Sequence, residues 1–242
     1  MPKFFITATD TDAGKTFVSS MLLYAAALDN KKTLGFKPVS SGIELVKGKR
    51  INKDIELLKA TSNVKIPDSA QNLYLFEQAI APHIASKLGG KSIALELIKQ
   101  QVDDYSDQAD FVLVEGVGGW EVPLNNTQGV PELAKMLAYP IIVVVRIKTG
   151  CINHALLTIN AIRQQGLQLA GWVANQVKDD DVARANISSI EQRTRLSCLA
   201  QIPELESMSY LQIQDFFNNL GSANKPPHHE IIRLYFKLLE LS

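Results

Sequence analysis

The residues with the greatest chemical reach lie in Thr9-Asp-Thr-Asp-Ala-Gly-Lys-Thr16. This segment follows an apolar run, Phe4–Ala8, and opens a helical pattern, Thr16–Leu28. Backbone N–H groups and a helix N-terminus in that setting favour an anion. Lys15 is spaced to reach the β- and γ-phosphates of a nucleotide, and the Thr16 hydroxyl to ligate Mg2+. The strict G-x-x-x-x-G-K-[ST] pattern is not met, because Thr9 stands at its first Gly and Ala8 precedes it. A strand-to-helix turn that merely contains Gly-Lys-Thr is the alternative.

Five other segments carry chemistry. In Phe111-Val-Leu-Val-Glu-Gly-Val-Gly-Gly119 an apolar strand ends in Glu115, where phosphate-loop enzymes place a carboxylate for a metal or its water. The glycines after it let backbone approach a ligand closely. In Gly35-Phe-Lys-Pro-Val-Ser-Ser-Gly42, Lys37 offers a cation and the serines offer hydroxyls to an anion. Asp54 follows closely in Asn52–Leu58, where it is equally a first-turn helix acid. Gly150-Cys-Ile-Asn-His-Ala155 opens a helix whose free N–H groups suit a carboxylate. Ala170–Gln176 is a strand ending in Asn175, whose amide can pair with an adenine edge or simply form a turn. No partner base for a Cys151 nucleophile is evident, His83 and His154 read as structural or surface groups, and His228 and His229 lie in a polar loop.

These residues need a scaffold that gathers strand ends. Short apolar runs at Phe4–Ala8, Leu34–Val39, Phe111–Val114, Ile141–Val145, Gly171–Ala174 and, more weakly, Leu199–Ile202 are mostly continuous rather than alternating. Strands buried on both faces of a parallel sheet have that pattern. Helical spacing follows in Thr16–Leu28, in Ile152, Ala155, Leu156, Ile159 and Ile162, and in Ile232, Tyr235, Leu238 and Leu239. Alternating strands and helices predict right-handed β-α-β units and an α/β fold. Ile43–Asn52 and Gly221–His229 read as loops.

Composition narrows the class. The chain has 242 residues with 25 basic and 25 acidic side chains, so it fits one large domain, and 1–242 is taken as one. Balanced charge argues against nonspecific binding to nucleic acid or an anionic membrane. The longest apolar run, Pro140–Val145, is far short of the ~20 residues that span a bilayer. Cys151 and Cys198 form neither a disulfide framework nor a zinc motif, which suits a cytoplasmic protein.

Taken together, Thr9–Thr16, Gly35–Gly42, Asn52–Leu58, Ala81–Ser86 (APHIAS), Val112–Trp120, Gly150–Ala155 and Gly171–Asn175 resemble the dethiobiotin synthetase family. The match runs in order from residue 4 to about residue 205 and is loose over the last forty. The resemblance implies a three-layer P-loop NTPase-type α/β fold with a mostly parallel sheet, a homodimer, and ATP and Mg2+ as co-substrate and metal. It implies that Asp12, Ala13, Gly14, Lys15, Thr16 and Phe17 wrap the phosphates, and that Glu115, Gly116, Val117 and Gly118 line the nucleotide. Thr16, Asp54 and Glu115 would hold the metal, and the catalytic cations Lys15 and Lys37 would stabilise charge on a carbamate and the transferred phosphoryl group. Asn175 and Gln176 would meet the adenine beside Ile202-Pro203-Glu204. Lys37, Ser41 and Thr11 would contact the diamine, and N–H groups of Cys151, Ile152 and Asn153, in the family from the neighbouring subunit, its carboxylate.

Three positions depart from the family pattern: Ala8 for Gly, Asp12 for Glu, and Asn186 for a Tyr found in some relatives. The implied reaction joins 7,8-diaminononanoate (7,8-diaminopelargonate), CO2 and ATP into dethiobiotin, ADP and phosphate through a carbamate and a carbamic-phosphoric anhydride. Competing readings are a positioning ATPase of the chromosome or septum kind, an amidotransferase-linked synthetase, and a non-catalytic nucleotide-binding module. The first lacks its extra Lys between Thr9 and Thr11, and the second its paired Cys and His. The third leaves the set Lys15, Thr16, Lys37, Asp54 and Glu115 without a use.

Overall fold

The structure, a computed structural model, describes residues 1–46, 48–204, 234, 235 and 237–240. In chain order the elements are β1 (Lys3–Ala8), α1 (Lys15–Leu28), β2 (Thr33–Phe36), β3 (Val39–Ser41), β4 (Glu44–Val46) and β5 (Lys49–Ile51). Then come α2 (Lys53–Thr61), α3 (Asp68–Gln71), β6 (Tyr74–Phe76), α4 (Pro82–Leu88), α5 (Leu95–Ser106), β7 (Phe111–Glu115) and α6 (Val130–Leu137). The remainder are β8 (Ile141–Arg146), α7 (Cys151–Gln164), β9 (Leu169–Val177), α8 (Asp181–Thr194) and β10 (Cys198–Pro203).

Six strands form one sheet in the order β10-β9-β8-β1-β7-β2, and every pair is parallel. β1 is central, with Phe5 beside both Val114 of β7 and Ile141 of β8. Parallel pairing brings all six C-terminal strand ends to one edge, where ligands collect in open α/β sheets.

Side chains alternate across the sheet and feed two cores. Phe5, Val112, Val114, Val143 and Trp172 pack on one face against α5, α6, α7 and α8, through residues such as Ile98, Leu133, Ile159 and Ile187. Phe4, Ile6, Leu113, Ile142 and Val144 pack on the other against α1 and α2, through Leu22, Leu23 and Leu58. The described C-terminal helical residues Leu234, Tyr235 and Leu238 join this second core, with the Tyr235 ring set edge-on to Phe111 at 5.5 Å. Both faces of the sheet are thus covered, which explains the continuous apolar runs. Truncating a fully buried side chain such as Leu22 to Ala costs about 2–5 kcal/mol at such sites.

Two expectations are corrected. The run Leu34–Val39 is not one strand, because β2 stops at Phe36. Pro38 has no N–H to give a ladder, and the Lys37 N–H instead meets Gln71 O at 3.0 Å. The chain restarts as β3, which pairs with β6 in a separate parallel ribbon. Ile43–Asn52 is not irregular, since β4 and β5 form an antiparallel hairpin there. The loop expected at Gly221–His229, and Ile232, lie outside the described residues.

Candidate functional site

β1 delivers the chain into the phosphate-binding segment at the middle of the strand-end edge. Ala8 stays in the strand beside Val144, and the Thr9 N–H donates to Val144 O at 3.1 Å. The departure from Gly at this position therefore carries no backbone strain. The left-handed turns fall later, at Asp12 (φ 58°) and Gly14 (φ 93°). Asp tolerates that conformation better than most side chains. Gly14 caps α1, which begins at Lys15 and turns the N–H groups of its first turn toward the loop.

The charged side chains gather on the β7–β2 side. The Lys15 ammonium donates to Gly118 O in the turn after β7. The Thr16 hydroxyl donates to Glu115 Oε1 at 2.7 Å. The Lys37 ammonium donates to the same oxygen at 2.6 Å and to Gly116 O at 3.2 Å, and it pairs with Asp54 Oδ2 at 3.1 Å. Lys37 is 3% exposed and Glu115 1%. Ions so deeply withdrawn from water persist only when paired.

The fields follow from this packing. Burial pushes the Lys15 ammonium down to about 8, and neighbouring Lys37 pushes the same way against the carboxylates. Burial also opposes the charge on Lys37, but Asp54 and Glu115 outweigh it and hold the ammonium well above its usual range. Burial works against the Asp54 carboxylate, yet the Lys37 and Lys15 ammonium groups keep it below the usual carboxylate value.

Neighbouring segments fix these groups. Asn52 caps α2, its side chain accepting the Ile55 N–H at 3.2 Å while its amide donates to Gly42 O at 2.7 Å. This clasp sets Asp54 in the first turn of α2 beside the end of β3. Asn72 donates to Lys37 O and to Ser40 Oγ, and Gln71 donates to Gly35 O at 2.6 Å. Sequence reasoning missed Gln71 and Asn72, whose side chains reach back over more than thirty residues and leave no local pattern.

One oxygen is left over. Glu115 Oε2 is buried and has no hydrogen-bond partner, while Oε1 receives two donors. With Asp54 and the Thr16 hydroxyl it makes a hard-oxygen donor set that fits Mg2+, an ion bound by one or two carboxylates plus substrate phosphates. No cluster of three or more His, Cys, Asp or Glu able to hold a metal occurs among the described residues.

On the β8–β9–β10 side a neutral amide meets the backbone of the loop. Asn175, at the end of β9, is buried, and its amide donates to Ala13 O at 2.8 Å. The structure thus turns the donor expected for adenine onto the phosphate loop. Gln176 beside it has a left-handed backbone (φ 54°), and the Glu204 N–H closes on Val177 O at 2.9 Å. The Ile202 side chain points into the core, so that residue can face a base only through its backbone. Phe17 is half-buried and Thr11 exposed. Thr11 Oγ1 lies 3.7 Å from the point a Cβ on Gly118 would occupy, and Ser41 is half-buried at the end of β3. Val117 is half-buried in the turn between Gly116 and Gly118.

α7 begins at Cys151 behind Gly150 (φ 87°). The Cys151 N–H is spent on Lys148 O at 3.0 Å, so it is not available to a carboxylate, whereas the N–H groups of Ile152 and Asn153 take no partner. Lys148 pairs with Asp10 at 3.5 Å and ties this turn to the phosphate loop. Asn186 is half-buried on α8.

Comparison with known proteins places this arrangement. The family described as an AAA domain matches residues 2–210. The chain is 45% identical over 207 residues to "ATP-dependent dethiobiotin synthetase BioD" of Cellvibrio japonicus, covering 85% of this chain and 91% of the relative. It is 40% identical over 215 residues to the protein of the same name from Pseudoalteromonas translucida, covering 88% and 95%. Among solved structures, the cell division ATPase MinD of Pyrococcus furiosus superposes with a TM-score of 0.65 at 14% identity, over 100% of both chains. A ParA family ATPase from Chlorobium tepidum gives 0.61 at 12% identity, over 97% of this chain and 98% of the other. At such low identity these two show the fold alone.

Proposed function

The chain belongs to the dethiobiotin synthetase family, and from that premise we propose that it condenses 7,8-diaminononanoate with CO2 and ATP to give dethiobiotin, ADP and phosphate. The observation that carries this reading is the meeting of buried Lys37, Thr16 and Glu115 with the half-exposed Asp54 carboxylate at the phosphate loop. A structural core has no use for two cation–carboxylate contacts and a hydroxyl beside a buried carboxylate oxygen left without a partner.

One amine of the substrate takes up CO2 as a carbamate beside Lys37, with Thr11 and Ser41 orienting the diamine. The carbamate oxygen attacks the γ-phosphorus and ADP leaves. The second amine then attacks the carbonyl carbon of the carbamic-phosphoric anhydride, closing the ring and expelling phosphate. Two anions must meet in the first attack, and Lys15 and Lys37 offset their repulsion from fixed positions. The work is positioning and charge neutralisation, so no side-chain nucleophile is required. Thr16, Asp54 and Glu115 would hold Mg2+, which supplies further positive charge on the phosphates.

Gly14 to Phe17 wrap the phosphates together with Asp12 and Ala13, and Glu115 to Gly118 flank them. The base lies between Asn175–Gln176 and Ile202–Glu204. The substrate carboxylate is held by the N–H groups of Ile152 and Asn153 at the start of α7, supplied across a homodimer. The chain works as one synthetase domain in the cytoplasm, a reading supported by balanced charge and reduced cysteines. No helix of the described residues is long and apolar enough to cross a membrane.

The test is phosphate release from ATP and Mg2+ with bicarbonate, with and without the diamine, following the organic product by mass. Release that requires the diamine, with a product equal to diamine plus CO2 minus water, is expected. ATP turnover indifferent to the diamine would overturn the substrate assignment and leave a phosphate-loop ATPase.

A further inference from the structure

We infer that Asn175 is a positioning residue that holds the phosphate loop in its anion-binding shape by aiming the Gly14 N–H into it. The inference rests on the loop being the triphosphate site, and it goes beyond a role in meeting the base.

The geometry starts at the end of β9. The Asn175 backbone is anchored in the sheet opposite Arg146, and its carbonyl accepts the Ile147 N–H at 3.0 Å. Its side chain is 3% exposed and crosses to the loop, where Nδ2 donates to Ala13 O at 2.8 Å. Ala13 is itself 1% exposed, so its carbonyl has little water to fall back on. A carbonyl can only accept, which fixes the amide's orientation: the NH2 end faces the loop.

The consequence follows from peptide planarity. The Ala13 carbonyl and the Gly14 N–H belong to one trans peptide unit and point in opposite directions. Pinning Ala13 O toward β9 therefore turns the Gly14 N–H toward the other side, and that N–H takes no partner in the structure. Directly after it come the N–H groups of Lys15 and Thr16 at the start of α1, which take no partner among the described residues. Successive N–H groups turned to one side form a concavity that binds anions.

Gly14 completes the lock. Its φ of +93° suits glycine, and a Cβ there would lie 2.0 Å from Asn175 Nδ2. The amide thus packs directly against the glycine face, so the two residues require each other. Without Asn175, Ala13 O becomes a buried acceptor with no donor, and rotating the peptide to find water would turn the Gly14 N–H away from the phosphates.

Inorganic tripolyphosphate with Mg2+ is the decisive probe because it has phosphates and no base. Its dissociation constant, and that of ATP, would be measured by calorimetry on the full chain, on Asn175→Ala and on Asn175→Leu, which fills similar volume without a donor. Both variants are expected to weaken tripolyphosphate by about tenfold or more, and ATP by the same factor. Weakened ATP with unchanged tripolyphosphate would make Asn175 a base contact only and overturn the inference. A lowered Tm with both affinities unchanged would make it a structural residue and overturn it equally. Should neither variant fold, the unmodified protein decides, since the Gly14 amide resonance must then shift on adding tripolyphosphate. An unmoved resonance would refute the role. Because no diamine is involved, loss of the substrate assignment leaves this test intact.

Discussion

On the β7–β2 side of β1, the strand ends bring Lys37 and Glu115 together out of reach of water, with Asp54 beside them. On the β8–β9–β10 side, the same edge of the same sheet carries Asn175, backbone N–H groups at the start of α7 and a turn at Gln176. One flank is built of full charges that neutralise one another. The other meets the loop through buried dipoles, and its ion pair of Lys148 with Asp10 lies half-exposed to water. The division matches two tasks. Charge that develops in a reaction is met by fixed ions, whereas a ligand that must be held and released is met by neutral donors.

The sharpest way to break this contrast is to remove Lys37. Lys37→Ala is expected to lower diamine-dependent turnover by about 10²–10³. It also leaves Glu115 buried without its cation, so Tm should fall. Adding Glu115→Gln should restore much of the Tm but none of the turnover, and recovery of both would move the chemistry elsewhere.

Glu115→Gln alone comes next. It keeps the shape and removes the charge, so Mg2+-dependent turnover should fall by about 10² and the Mg2+ needed for half-maximal rate should rise. A variant that saturates with Mg2+ like the parent protein would exclude Glu115 from the metal set.

Lys15 tests the cost of the charged flank. Its depressed pKa means that between about pH 8 and 10.5 the unfolded chain binds a proton the folded chain does not. Stability should therefore rise with pH across that window, and the full penalty applies below it. Lys15→Met should raise the stability of the ligand-free protein at pH 7 by up to about 3 kcal/mol, with the gain shrinking toward pH 10.5, while turnover is lost. Denaturant melts at pH 7 and pH 10 would show whether the gain has this pH dependence.

The smallest effect belongs to the β8–β9–β10 flank. Gly150 has φ +87° with nothing near its face, so Gly150→Ala meets strain but no clash. It should cost about 1 kcal/mol, seen as a raised KM for the diamine with kcat nearly unchanged. A fall in kcat instead would mean that the start of α7 takes part in the chemistry.

Burial explains what the sequence disclosed. Runs such as Phe111–Val114 and Ile141–Val145 are covered on both faces, so their composition matched their structure within a residue or two. α5 and α8 carry little helical signal in the sequence, because each buries only a narrow stripe such as Leu95, Ile98 and Val102 of α5 among charged neighbours. β6 has three residues, too few for a periodic signal. Within the site, Lys15, Thr16 and Glu115 were legible from strand-turn context. The meeting of Lys37 with Glu115 joins residues 78 positions apart and was available only through family resemblance. The Asn175–Ala13 bond spans 162 positions and left no local trace.

The clasp of Asn52 on Gly42 O has a further bearing on how the chain can vary. It draws together the two ends of the β4–β5 hairpin, one leading from Ser41 and the other into Asp54. Between them Val46 and Ile51 pack against the second core, while Leu45 is 74% exposed. Loop length adds little entropy once the ends are fixed. The hairpin is therefore a natural graft point, where a longer loop or a fluorescent label can be installed while both of its working neighbours stay in register.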